Sequence, residues 1–175
     1  MPMKTDHIKI LAPAGSYESL RAAIAAGCHA VYFGVTQLNM RAIAASNFDI
    51  EDLAEITKIC HDNNVQAHLA VNTILYEHDI TLVKKIIDAA KANGVDAIIA
   101  SDIAAITYAQ SIEQAVHIST MQSISNYEAV KYFSQFADVV VLAREVTIPM
   151  MKRIHEQIVE DDLRGPSGEL VKLEV

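Results

Sequence analysis

Apolar and polar positions alternate in blocks along this chain, short β-branched runs giving way to stretches in which apolar residues recur at helical spacing. The first block, residues 8–12, is a strand signal. Pro13 cannot continue an internal ladder, Gly15 permits unusual φ, and Ser16 is a good N-cap for a helix carrying Leu20, Ala23 and Ile24 on one face, stopped by Gly27. The same grammar recurs. Strands are predicted at 29–34, 65–71, 95–100, 117–120 and 138–143, with 117–120 the weak one. Asp49, with Asp52 at the capping-box position, opens a helix bearing Leu53, Ile56 and Cys60, and Asn63-Asn64 ends it. Asp79 opens the clearest helix, with Leu82, Val83, Ile86, Ile87 and Ala90 in phase and Gly94 as its stop. A short helix runs through Ile106 and Ala109. Asn126 caps one with Val130, Phe133 and Phe136, and Thr147 caps one with Pro149 in its first turn and Met151, Ile154 and Ile158 on one face. A charged, turn-rich connection at 160–168 leads into a last apolar segment, 169–175.

The pattern is therefore α/β, with six βα units and the start of a seventh. Such units either close as a barrel or stay open as a doubly wound sheet. A complete eight-stranded barrel takes about 250 residues, and this chain has 175. A barrel built from it would be incomplete and would leave two sheet edges, which another part of the protein or a second copy would cover.

Composition agrees with parallel strands under helices: 51% of residues are hydrophobic but only 6% aromatic. A net charge of -8 argues against an RNA partner for this chain alone, because phosphate binding rests on Lys and Arg. No segment is long and apolar enough to span a bilayer, and the N-terminus lacks a signal-like core, so a cytoplasmic location and no membrane partner are expected. Cys28 and Cys60 stand apart without C-x-x-C spacing and are expected as buried thiols.

Candidate chemistry sits where strands end, the edge at which α/β folds bind ligands. Those ends carry Gly15 and Ser16, Gly34, Asn72-Thr73, Ser101-Asp102, Thr120-Met121-Gln122 and Arg144-Glu145. Ser16 and Asp102 are explained first as helix caps. Arg144 and Glu145 follow an apolar run expected to be buried on both faces, where charges are either paired or bind something. The loop 35–48 is long enough to be functional and carries Asn39, Arg41 and Asn47. Parity places Gln66, His68, Ala70 and Asn72 on one face of the third strand, so His68 lies one layer below Asn72, as a satisfied interior histidine ahead of a general base. Catalytic candidates are thus Arg144, Glu145 and His68. Those for substrate binding are Gly15, Ser16, Arg41, Asn72, Asp102 and Gln122. His155-Glu156 begins an H-E-x-x-H, but Val159 occupies the second histidine position, so no metal site is expected.

The ordered set Leu11-Ala12-Pro13-Ala14-Gly15-Ser16, Ala30-Val31-Tyr32-Phe33-Gly34, Asn39-Met40-Arg41-Ala42, Asn47-Phe48, Leu69-Ala70-Val71-Asn72-Thr73, His117-Ile118-Ser119-Thr120 and Val141-Leu142-Ala143-Arg144-Glu145 resembles peptidase family U32, the collagenase-like proteases. The resemblance implies the N-terminal part of a TIM-barrel-like domain over 1–175. It also implies one of two activities: proteolysis of collagen, or iron–sulfur-dependent hydroxylation of tRNA or ribosomal RNA bases or of a ubiquinone precursor. Met121 stands where the family commonly has Gln, and Gln122 comes one residue later. Leu173-Glu174-Val175 resembles the residues just before the family's His-Gly-Ala-x-Cys signature, so a cluster would need cysteines from sequence beyond Val175. The expectation is a peptidase-like barrel part acting on a peptide or small-molecule substrate, with no cofactor of its own. The alternatives are the hydroxylase scaffold and a non-catalytic module that dimerises through its edges and binds a small anion near Gly15-Ser16 and Arg144.

Overall fold

Strand and helix alternate throughout the computed structural model, which describes residues 8–36 and 48–175. The elements are β1 (Leu11–Pro13), α1 (Tyr17–Ala25), β2 (Ala30–Phe33), α2 (Leu53–Asp62), β3 (Gln66–Val71), α3 (Ile80–Ala92), β4 (Ala97–Ala100), α4 (Ile103–Ser111), β5 (Val116–Ile118), α5 (Tyr127–Phe133), β6 (Val139–Val141), α6 (Ile148–Glu160) and β7 (Lys172–Glu174). These seven strands and six helices give an α/β, TIM-barrel-like, incomplete fold. The chain divides into two compact units. One comprises the described residues up to Ala70 with Asp88–Asp96; the other comprises Val71–Ile87 with Ala97–Val175. No helix among the described residues is long and apolar enough to cross a membrane.

In the first unit β1, β2 and β3 pair in parallel, with Pro13 opposite Tyr32 and Tyr32 opposite His68. Val31, Ala67 and Leu69 are fully buried on one face of these strands, and Leu20 of α1 with Leu53, Ile56 and Cys60 of α2 are fully buried too. Burying a side chain of this size is worth about 1.5–3 kcal/mol, so this aliphatic layer dominates the unit's stability. Phe48 packs edge-on to both Tyr17 and Phe33, with ring centroids 5.2 and 5.8 Å away. The Tyr17 hydroxyl donates to Asp52 at 2.9 Å and Glu55 at 3.3 Å, and burial followed by these carboxylates pushes its pKa up. The expected helix signals are present. Ser16 and Ser19 form a reciprocal capping box, Asp52 accepts from the Asp49 amide at 2.8 Å, and Gly27 takes φ +83°.

In the second unit β4, β5, β6 and β7 pair in parallel, with Ile99 opposite His117, His117 opposite Val139, and Val141 opposite Glu174. Asn126 caps α5 by accepting from the Ala129 amide at 3.0 Å, and Pro149 sits in the first turn of α6. In the first unit Gly94 also behaves as expected, with φ +76° after α3.

Several sequence expectations are corrected. Pro13 lies inside β1 rather than after it; an edge strand tolerates a missing N–H, and the ladder resumes where the Ala14 amide donates to the Tyr32 carbonyl at 2.9 Å. Asp79 directly precedes α3 but does not open the helical run. It closes a 3₁₀ turn, Glu77–Asp79, and its carboxylate reaches back to the Tyr76 amide at 2.9 Å. Thr147 holds the N-cap position of α6 without a side-chain bond, and Phe136 lies beyond the end of α5. β6 is not buried on both faces: Val140 is fully buried, whereas Val139 and Val141 are half-buried.

Gly165 shows how tightly the connection into β7 is fitted. A Cβ there would lie 2.8 Å from the Asp138 Cα and 3.0 Å from the Ala137 carbonyl oxygen, and backbone atoms cannot swing aside. The Asp138 carboxylate is itself engaged by the Ser167 amide at 3.0 Å and the Ser167 hydroxyl at 2.7 Å. Gly165→Ala is therefore expected to destabilise the fold by about 1–3 kcal/mol, the usual cost of overpacking, as a lowered urea midpoint with an unchanged slope. An unchanged midpoint would contradict this packing.

Candidate functional site at the strand ends of the second unit

The residues just past β4 and β5 are held by backbone bonds that extend the ladder beyond the strands. The Ser119 amide donates to the Ala100 carbonyl and the Ala143 amide to the Ile124 carbonyl, both at 2.8 Å. Between them Thr120–Gln122 winds into a 3₁₀ turn, and Ser123 ends it with φ +51°. Ser119 is 1% exposed; its hydroxyl caps this turn by accepting from the Met121 amide at 3.3 Å, and the Asn72 amide donates to the same oxygen at 3.4 Å. Gln122 donates through its side-chain amide to the Ser101 carbonyl, and Thr120 donates its hydroxyl to the Leu142 carbonyl at 3.2 Å. Two amides and two hydroxyls thus converge on one end of the unit, each half-buried except the deeper Ser119. Such a set offers both donors and acceptors and carries no charge, which suits amide-containing ligands better than phosphates.

The structure brings Asn72 and Gln122 together through Ser119, whose carbonyl also accepts from the Gln122 backbone amide at 3.0 Å. Asp102 lies next to Ser101 but is occupied as a cap, accepting from the Ala104 amide at 2.8 Å. Arg144 and Glu145 are exposed in the turn after β6. The argument that two-sided burial makes them a site falls with the half-buried faces of that strand. Gly15, Ser16 and His68 belong to the first unit. There the Gly15 and Ser16 amides both donate to the Ser19 hydroxyl, at 3.0 and 2.9 Å, so these helix-start donors already have an acceptor. His68 is 4% exposed beside Tyr32, on the face that parity gives it. Arg41, with Asn39 and Asn47, lies outside the described residues. Ser119 is the site residue that sequence reasoning passed over, and Thr120 was noted as a strand end but not as a binding residue. Their signal was a hydroxyl pair directly after a strand, one residue before the expected polar positions.

An iron–sulfur cluster needs about four thiolates, and the chain has two cysteines. Both are buried, and burial, then Asp96 and Cys28, pushes the Cys60 thiol up to about 12, so it is protonated near neutral pH. Among the described residues no three His, Cys, Asp or Glu side chains gather as a metal site. The residues present do not fit a cluster.

A family model for Peptidase family U32 matches residues 15–163. The chain belongs to that family. It is 51% identical over 173 residues to a collagenase of Porphyromonas gingivalis, covering 99% of this chain and 42% of that relative. It is 29% identical over 157 residues to tRNA hydroxylation protein P1 of Bacillus subtilis, covering 88% of this chain and 37% of the relative. The chain therefore spans less than half the length of these relatives. The solved U32 peptidase Mk0906 superposes with a TM-score of 0.64 at 13% identity, over 79% of this chain and 60% of that one, and shares the fold.

Two predictions follow from these assignments. Asp102→Ala should cost about 1 kcal/mol through the lost cap while Asp102→Asn, which keeps an acceptor, costs less; equal losses in thermal unfolding would contradict the capping role. Cys60 should resist alkylation in the native protein and react once unfolded. Its proton is held to about pH 12 when folded but lost near the ordinary 9.0 when unfolded. The folded state binds more protons in that window, so this contribution to stability is full below pH 9 and declines as pH rises through it. Cys60→Ser should flatten the alkaline fall in the urea midpoint.

Proposed function

We propose that this chain is the barrel part of a collagenase-like U32 peptidase, in which the strand ends of the second unit hold a peptide. The 51% identity to a collagenase over 173 residues carries this reading. The uncharged donors and acceptors around Ser119 support it, because a peptide backbone presents N–H and C=O groups that Asn72 and Gln122 can match by exchanging their present internal partners. The alternative, a scaffold for iron–sulfur-dependent hydroxylation of RNA, draws on the more distant hydroxylation relative. A net charge of -8 favours it less.

The test is to supply the protein that carries this chain with gelatin and, separately, with unmodified tRNA and ribosomal RNA. Peptide fragments in mass spectra are the expected result. Hydroxylated nucleosides without peptide cleavage would overturn the peptidase reading. The double variant Asn72→Ala with Gln122→Ala should lower kcat/KM by about tenfold per lost hydrogen bond, mainly through KM.

A further inference from the structure

The sheet of the second unit presents two unlike faces. Ile98, Ala100, Val116, Ile118 and Val140 are no more than 4% exposed on one of them. On the other, His117, Val139, Val141 and Glu174 are half-buried. The register sets His117 on β5 beside Val139 and Glu174 on β7 beside Val141, so only the short valines of β6 stand between the two polar side chains. Over those valines the His117 Nδ1 and Glu174 Oε2 approach to 3.8 Å, with side-chain exposures of 15% and 26%. On this face of β4 and β6 the neighbours are Ile99, Val139 and Val141, none of which titrates. The charged neighbour along the row is Lys172, whose Nζ is 2.5 Å from Glu169.

Ser119 lies two residues beyond His117 on extended backbone, so both fall on the same side of the sheet. The histidine therefore sits one layer beneath the polar strand ends, on the side where Asn72 meets Ser119. An imidazole of low exposure facing a carboxylate, under a cluster of neutral hydrogen-bonding groups, is the arrangement that general acid–base chemistry uses. The 3.8 Å gap needs a movement of about 1 Å to become a hydrogen bond, and such bonds are often long without substrate.

We infer that His117 and Glu174 form an acid–base dyad, with His117 moving the proton of the reaction and Glu174 positioning its imidazole. The inference rests on the peptidase reading for its substrate. Glu174 accepts from Nδ1–H, which leaves Nε2 as the base. Nε2 takes one proton from water as the water oxygen bonds to the scissile carbonyl carbon. The imidazolium then gives that proton to the amide nitrogen as the C–N bond breaks. The products are a carboxylic acid and an amine, and His117 returns to its starting state.

The experiment uses the protein that carries this chain and a gelatin-derived peptide. His117→Ala should lower kcat by about 10² or more, and added imidazole should restore part of the loss, which a structural role would not allow. Glu174→Gln should lower kcat with KM little changed, while Lys172→Ala leaves both as they are. Nitrogen-15 NMR of the imidazole gives a readout independent of activity: the wild type should hold Nδ1–H, and Glu174→Gln should shift the tautomer. If no peptide is cleaved but the tautomer depends on Glu174, the peptidase reading fails and the dyad stands. Full activity in His117→Ala, or the same tautomer with and without the Glu174 carboxylate, overturns the dyad.

Discussion

The parallel ladder that continues past the ends of β4, β5 and β6 is the constraint on which the candidate site depends. Strands with an aliphatic face as closed as Ile98, Ile118 and Val140 leave no room for polar side chains there. Polar groups are therefore confined to the opposite face and to the strand ends. The Ser119 amide on Ala100 and the Ala143 amide on Ile124 carry backbone pairing into the connections, so the turn Thr120–Gln122 is fixed rather than free. Side chains on such an anchored turn keep a defined direction without a large number of bonds of their own, which is what a binding edge requires.

Most of the fold was legible because each unit announces itself locally. Ser16, Asp49 with Asp52, Asp102 and Asn126 act where a short polar acceptor before an apolar helix should act, and Gly27 and Gly94 take the positive φ that ends a helix. Strand boundaries were less legible, since strands of three or four residues carry too few alternations to locate their ends. The run Val139-Val140-Val141 is a case where apolar composition does not report how many faces are covered. With Val139 and Val141 half-buried, Arg144 and Glu145 lost the reason for being singled out.

The site was partly legible for a related reason. Searching the residues just past each strand found Asn72 and Gln122, which do meet around Ser119, but it overlooked Ser119 itself. It also overlooked His117, because a histidine inside a short strand looks like core until the register shows Glu174 two strands away on the same face. Alternation of His117 and Ser119 was the available signal. Family membership brings the activities of its relatives within reach of this chain, which spans less than half of their length. Its own residues contribute neutral amides and hydroxyls at the strand ends, a set whose donors and acceptors suit a peptide.

A peptide held at the strand ends of the second unit would perturb the side chains that hold it. The most direct measurement is the NMR response of side-chain amide signals as a collagen-derived peptide is titrated in. Saturable shifts are expected at Asn72 and Gln122 together with the backbone amides of Ser119 and Met121. Shifts confined instead to the separate cleft of about 440 Å³ lined by Gln110, Gln114, Asp138 and Ser167 would contradict that placement.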